Sequence, residues 1–217
     1  DGEVPLVCWA YGESPYAATR AVWDQVFESG FVAAQPRTTK AYPEEPYGYL
    51  GWCSWEHYKT RISEAIITDA FHTIEASGAP IRWVMVDDGY LDQQGRMLKS
   101  FGVDKKKFPN GWGPIADLKD PEQIKWLGIW RNFGGYMNGV SAGHTMDDLK
   151  PHLVPMQNKR RVLPKNTPEA SQAFYDKMVG DTKDNGFDFI KVDFHFRTFE
   201  HYIGTADPVE AMRQNNE

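Results

Sequence analysis

Phe187-Asp188-Phe189-Ile190-Lys191-Val192-Asp193 is an apolar run that closes on Lys-x-Asp. It follows a helical pattern that stops at Gly186, so it reads as a buried parallel strand. Side chains alternate along a strand, which puts Lys191 and Asp193 on one face, one rung apart. A carboxylate and an ammonium at the end of a buried strand are costly to desolvate unless a site uses them. In parallel α/β proteins that end is where active sites are built. Asp193 is therefore the first candidate for a reacting group, and the plainer alternative is a structural Lys191–Asp193 ion pair.

Working outward, the same grammar recurs upstream. Thr167 with Pro168 starts a helix whose Ala170, Phe174 and Met178 form a buried ladder. A strand is predicted over Lys125–Trp130, followed by the loop Gly134-Gly135-Tyr136-Met137-Asn138-Gly139. Ile81 to Val86 is a strongly apolar strand closed by Asp87-Asp88-Gly89. Before it, Ser63 caps a helix with an Ile66, Ala70, Ile74 stripe that ends at Gly78. Tyr49-Leu50-Gly51-Trp52-Cys53 is the first strand. A strand–helix–strand spacing of roughly 30 residues is that of a βαβ unit.

Four apolar strands joined by helices predict a parallel sheet. A complete (β/α)8 barrel takes ~250 residues. The expected architecture is thus α/β, the N-terminal half of a (β/α)8 TIM barrel with about four strand–helix units. A self-contained doubly wound sheet is the alternative. Residues 47–217 form this half-barrel, and residues 1–46 form a pre-barrel helix and linker. In that leading segment Pro15–Ser29 reads as a helix, with Ser14 as N-cap, Ala18, Val22 and Val26 as its stripe and Gly30 as its stop. Gln35–Pro46, rich in Pro, Thr and Glu, reads as the linker.

Composition narrows the partners. The 217 residues carry a net charge of −6 and no basic run, which argues against nucleic acid or an anionic membrane surface. No apolar run approaches the ~18 residues of a membrane span. The composition is that of a soluble globular protein, and the chain opens at Asp1-Gly2-Glu3 without a leader pattern, so any targeting segment is expected to be missing or removed and the compartment stays open. Cys8 and Cys53 are too few for a disulfide scaffold and read as buried thiols. Fourteen per cent of the chain is aromatic. Trp52, Trp55, Tyr90, Trp130, Phe133 and Tyr136 fall near strand ends, either as core or as a platform for a sugar ring.

The motifs carry chemistry to different degrees. Asp87-Asp88-Gly89 is a tight turn or a pair of carboxylates that clamps vicinal hydroxyls. His195 and His201 are six apart, not at the spacing of a zinc helix, so no metal site is expected. The glycine loop lacks the order of a phosphate cradle, and no Gly-x-Ser-x-Gly elbow is present. No cofactor is implied.

In order, Leu50-Gly51-Trp52-Cys53-Ser54-Trp55, Val86-Asp87-Asp88-Gly89-Tyr90, Gly128-Ile129-Trp130 and Lys191-Val192-Asp193 resemble the motifs of glycoside hydrolase family 36, retaining α-galactosidases. Its raffinose-synthase-like branch is the most similar. Gly135-Tyr136-Met137-Asn138-Gly139-Val140 is similar to that branch's Gly-Tyr-Trp-Gly-Gly-Val, and the resemblance covers Gly48 to His195. It implies Asp193 as the nucleophile of a double displacement. It also implies Lys191, Asp87 and Asp88 as sugar contacts, and Trp55 and Trp130 as walls of the −1 subsite. The substrate would be an oligosaccharide or other α-galactoside, and the remainder of the barrel would be a partner. Tyr90 departs from the family's Trp, and Met137-Asn138 from its Trp-Gly. The family's acid/base lies on a later strand and is carried over to no residue here. The alternatives are an α-galactosyl transglycosylase, a metal-dependent barrel enzyme using Asp87, Asp88 and Asp193 as ligands with Lys191 as base, and a non-catalytic sugar-binding protein.

Overall fold

The structure, a computed structural model, describes residues 7–30, 45–157 and 159–216. The chain divides into two compact units, Asp1–Glu44 and Glu45–Glu217. Most of the expected linker, residues 35–44, lies outside the described residues. In the first unit, helix α1 (Pro15–Glu28) starts where Ser14 Oγ accepts the Ala17 N–H at 3.2 Å. Its apolar stripe stays partly exposed, and no residue of α1 is buried.

The second unit is built on four parallel strands: β1 (Leu50–Cys53), β2 (Ile81–Val86), β5 (Trp126–Asn132) and β9 (Phe189–Asp193). They stand side by side in chain order. That monotonic order belongs to a barrel wall. A doubly wound sheet reverses at a switch point, which this one does not. Helix α2 (Ser54–Tyr58) follows β1, and helix α3 (Glu64–Ser77) connects it to β2. Ser63 caps α3 through the Ile66 N–H, and Gly78 closes it in the left-handed region at φ 67°. The buried face of α3 is Ile67, Ala70 and Phe71, with Ile74 partly buried. The Ile66 stripe predicted from spacing is off by one position, because Ile66 and Ile67 are both apolar and packing chose the second.

The second crossover differs more from expectation. In place of a long helix it carries a hairpin, β3 (Leu91–Gln94) with β4 (Met97–Val103), and a single helical turn, α4 (Gly113–Ala116). Gly95 and Arg96 both take positive φ, 59° and 62°, as a tight two-residue hairpin turn demands. The third crossover adds β6 (Val140–Ser141), β7 (Leu153–Pro155) and β8 (Arg161–Pro164), which join the hairpin in a second sheet of order β3-β4-β6-β8-β7. Helix α5 (Pro168–Asp184) then returns the chain to β9, with Ala170, Phe174 and Met178 buried as expected. Helices α6 (His195–Tyr202) and α7 (Pro208–Asn216) follow, and Leu163, Tyr202 and Ala211 hold them to β8 in a small second core.

All seven residues of β5 are buried, whereas β9 is partly exposed. The sequence expectation of a fully buried β9 fails because, among the described residues, β9 pairs on one side only, with β5. Gly128 has no side chain, so the Phe189 ring packs directly over it on the neighbouring strand. Alternation sends Arg131 to the face opposite Trp130. There it is 1% exposed, and its guanidinium donates to Thr182 Oγ1, Phe101 O and Asp181 Oδ2 at 3.2, 2.8 and 2.7 Å.

These features generate two predictions. Arg131→Met leaves Asp181 without its cation and the Phe101 carbonyl without its donor. It should cost about 3–5 kcal/mol, read as a loss of about 10 °C in Tm by calorimetry. Burial, with Arg161 and Arg197 nearby, lowers the His201 pKa from 6.5 to about 4. Between those values the unfolded chain binds the extra proton, so this contribution is complete above pH 6.5 and is lost as pH falls toward 4. The Tm of wild type minus that of His201→Gln should therefore drop by a few degrees between pH 7.5 and pH 4.5. Carboxylates common to both chains cancel in the difference.

Candidate active site

The carboxyl ends of β1, β2, β5 and β9 bring together residues from all four strands. Asp87 directly follows β2 and is buried. Its Oδ2 accepts from Lys191 Nζ at 2.8 Å and from Cys53 Sγ at 3.3 Å. Its Oδ1 accepts the Asp88 N–H at 2.8 Å, and its own N–H donates to Ser54 Oγ at 2.9 Å. The structural Lys191–Asp193 ion pair, the plainer alternative in the sequence, is not formed, and Lys191 pairs with Asp87 instead. Burial pulls the Lys191 pKa down, but the bond to Asp87 and the Asp87 charge outweigh it and hold the ammonium above its ordinary value. With 43% of its side chain exposed, Lys191 reaches over the sheet end instead of lying in it.

Asp88 is 3% exposed. Tyr136 Oη donates to its Oδ2 at 3.2 Å, while its Oδ1 is buried without a partner among the described residues. Burial raises its pKa, the Tyr136 and Gly89 bonds lower it, and the Asp87 charge raises it, for a net increase. Gly89 closes the turn at φ 124°, and a side chain there would collide with the Thr60 backbone.

Asp193 ends β9. Its Oδ2 accepts from Trp130 Nε1 at 3.2 Å and its Oδ1 from the Phe194 N–H at 2.8 Å. Phe194 sits in the left-handed region at φ 64°, an uncommon place for a bulky side chain, directly after the candidate reacting group. Trp130 is 1% exposed, with Tyr136 and Phe194 packed edge-on against it. It offers the site its N–H and no open ring face. Trp55 is partly exposed and carries Lys59 Nζ over its ring at 5.1 Å. Tyr90, Phe133 and Tyr136 are buried, so the platform expected from the clustered aromatics is mostly core, and the Tyr90 hydroxyl is spent on Trp130 O at 2.6 Å. Cys8 is exposed and Cys53 only half-buried, which corrects the expectation of two buried thiols.

The structure thus joins Asp87, Asp88, Lys191, Trp130 and Asp193 through direct bonds or shared partners. It adds Cys53, Ser54 and the Phe194 N–H, for which no site role had been expected, and gives Tyr136, weighed only as core or as part of a sugar platform, a bond to Asp88. Cys53 and Ser54 stood in the first strand motif, where only the tryptophan had been given a role.

The family model described as raffinose synthase or seed imbibition protein Sip1 matches residues 12–106. A probable galactinol–sucrose galactosyltransferase 6 of Arabidopsis thaliana is 22% identical over 204 residues, 76% of this chain and 27% of that protein. Alpha-galactosidase 5 of Saccharomyces cerevisiae is 36% identical over 72 residues, 31% of this chain and 15% of that protein. The chain therefore spans about a quarter or less of the length of these relatives. Among solved structures, a GH36 alpha-galactosidase of Geobacillus stearothermophilus in complex with raffinose superposes with TM-score 0.52 at 17% identity, covering 67% of this chain and 21% of that one. The alpha-galactosidase of Lactobacillus brevis gives 0.52 at 19% identity, covering 67% and 20%. These likenesses establish the fold, an α/β segment corresponding to part of a TIM-barrel domain.

Asp88→Asn removes a buried charge while keeping an acceptor for Tyr136. A carboxylate whose folded pKa is raised loses stability as pH rises through that pKa, so the variant's advantage should grow from pH 4 to pH 8. At pH 8 its Tm should exceed wild type by about 2–4 °C, measured by scanning calorimetry.

Proposed function

We propose that the chain is part of a raffinose-synthase-like domain of glycoside hydrolase family 36 and supplies the nucleophile and the galactose-binding half of a retaining α-galactoside-processing site, a reading supported by the family-model match and the galactosyltransferase relative. The observation that carries this reading is the aim of Asp193. Two N–H donors from different elements fix its plane at the end of β9, beside the Lys191–Asp87 pair.

In the proposed reaction an Asp193 oxygen attacks the anomeric carbon. A C–O ester bond forms as the glycosidic C–O bond breaks, and the departing oxygen takes a proton from a second carboxyl group. Water then attacks the glycosyl ester, releasing galactose and freeing Asp193. Lys191 and the Asp87-Asp88 pair hold the sugar hydroxyls, and Trp55 walls the subsite. Trp130 acts through its N–H, orienting the nucleophile.

The second carboxyl group is assigned to no residue here. Asp207 Oδ1 is occupied by the N–H groups of Val209 and Glu210 at the start of α7. Arg213 pulls the Glu210 pKa down to about 2, the wrong direction for a proton donor. Transfer to a sugar hydroxyl in place of water is a second reading, favoured by the galactosyltransferase relative. A metal-dependent reading fits less well, since the Lys191 ammonium already occupies the Asp87 oxygen that a cation would need.

The test has two parts. The purified 217-residue chain should bind D-galactose without turning over an aryl α-galactoside. In a polypeptide that continues the barrel, Asp193→Ala should lower hydrolysis roughly 10³-fold or more, and a 2-fluoro-galactosyl adduct should map to Asp193. Turnover by the 217-residue chain, or substantial activity in Asp193→Ala, would overturn the assignment. Products formed with sucrose present separate transfer from hydrolysis.

A further inference from the structure

Asp87 is crowded for a residue read as a sugar clamp. Oδ2 accepts from both Lys191 and Cys53, and Oδ1 accepts from the Asp88 N–H. A carboxylate offers about four lone-pair sites, so one remains, on Oδ1. The adjacent Asp88, almost wholly buried, keeps Oδ1 unpartnered. The pair therefore presents vacant acceptor positions on both residues, a single one on Asp87 and the whole of Oδ1 on Asp88. The direction of the Asp87 vacancy depends on what holds Oδ2 in place.

Lys191 is one of those holders, but its ammonium sits on a long, flexible stem that is 43% exposed. Cys53 is the other. It stands at the end of β1, paired with Met85 two residues before Asp87, on a short side chain with one rotatable bond to sulfur. Fewer rotatable bonds separate the thiol from its strand than separate the ammonium from Lys191's backbone, so the direction of the Cys53 bond is set more closely by the fold. Burial raises the Cys53 pKa, the nearby Asp87 raises it further, and the group stays S–H, the form that donates.

We propose that Cys53 is a positioning residue of the sugar site: its S–H holds Asp87 Oδ2 so that the remaining Oδ1 lone pair faces a sugar hydroxyl. This rests on the galactose-site reading above. It implies thiol sensitivity, since a group attached to Cys53 would remove the donor and fill the space beside Asp87.

Cys8, exposed in the other unit, is a built-in reference for labelling. Iodoacetamide forms a C–S bond with loss of iodide and of the thiol proton to solvent. Followed by peptide mass spectrometry, Cys53 should label more slowly than Cys8, and slower still with saturating D-galactose. Asp87→Asn should accelerate Cys53 labelling several-fold without changing Cys8. By titration calorimetry, Cys53→Ala should bind galactose about tenfold more weakly, and Cys53→Ser should stay within about twofold of wild type. An unchanged labelling rate in Asp87→Asn, or wild-type affinity in Cys53→Ala, overturns the proposal. If Cys53→Ala does not fold, the serine variant and the labelling rates decide. Absence of galactose binding by the wild-type chain overturns the sugar-site reading and the positioning role with it. Faster labelling in Asp87→Asn would then still place the thiol on Asp87, so the two failures are distinguishable.

Discussion

Five consecutive register pairs, from Gly128 with Phe189 to Asn132 with Asp193, join β9 to the fully buried β5. Both ends of this ladder are pinned by groups outside it. At the start, Asp188 Oδ2 accepts the Leu127 N–H at 2.8 Å while Lys119 holds the same carboxylate. At the end, the Phe133 N–H donates to Asp193 O at 2.8 Å. A slip of one residue would turn every β9 side chain to the other face. Lys191 would lose Asp87, and Asp193 would lose Trp130. The site's geometry is therefore a register statement before it is a chemical one.

The same strand solves a second problem, the placement of charge inside a sheet. Trp130 and Arg131 leave β5 on opposite faces, so one strand serves the site and the scaffold with adjacent residues. Arg131 is tolerated because its guanidinium is bonded along three directions and lies near the Tyr90 and Phe101 rings. Asp87 is tolerated because three donors converge on it. Asp88 breaks the pattern, with one oxygen unserved. Native chains satisfy nearly all buried polar atoms, so an orphan oxygen beside a neighbour with three donors marks a place kept open.

The parallel strands were legible because they are continuous apolar runs with punctuation: Gly186 before β9, and Asp87-Asp88-Gly89 after β2. Helices with a Ser or Thr cap and a glycine near the end were legible for the same reason. The second sheet was not. Met97–Val103 carries Lys99, Ser100 and Gly102, so its alternation is weak, and the two-residue β6 and three-residue β7 have no periodicity to detect. The residues of the candidate site were visible as types at strand ends, but their partnerships were not. Lys191 and Asp193 share a face two residues apart, yet the lysine bonds a carboxylate 104 positions away. Proximity along a strand says nothing of what the neighbouring strand offers. Cys53 was obscured by its commonness, since a thiol in an apolar run ordinarily means core, and Tyr136 was weighed for its ring when its hydroxyl is what meets Asp88.

The strand order has a consequence for how the molecule comes into being. Each parallel strand lies beside the one made before it: β2 beside β1, β5 beside β2, β9 beside β5. A ribosome delivering this chain from its N-terminus presents every new strand to a partner already synthesised. The wall can thus grow in the direction of translation, always with one fresh edge exposed and never with a gap to be filled later.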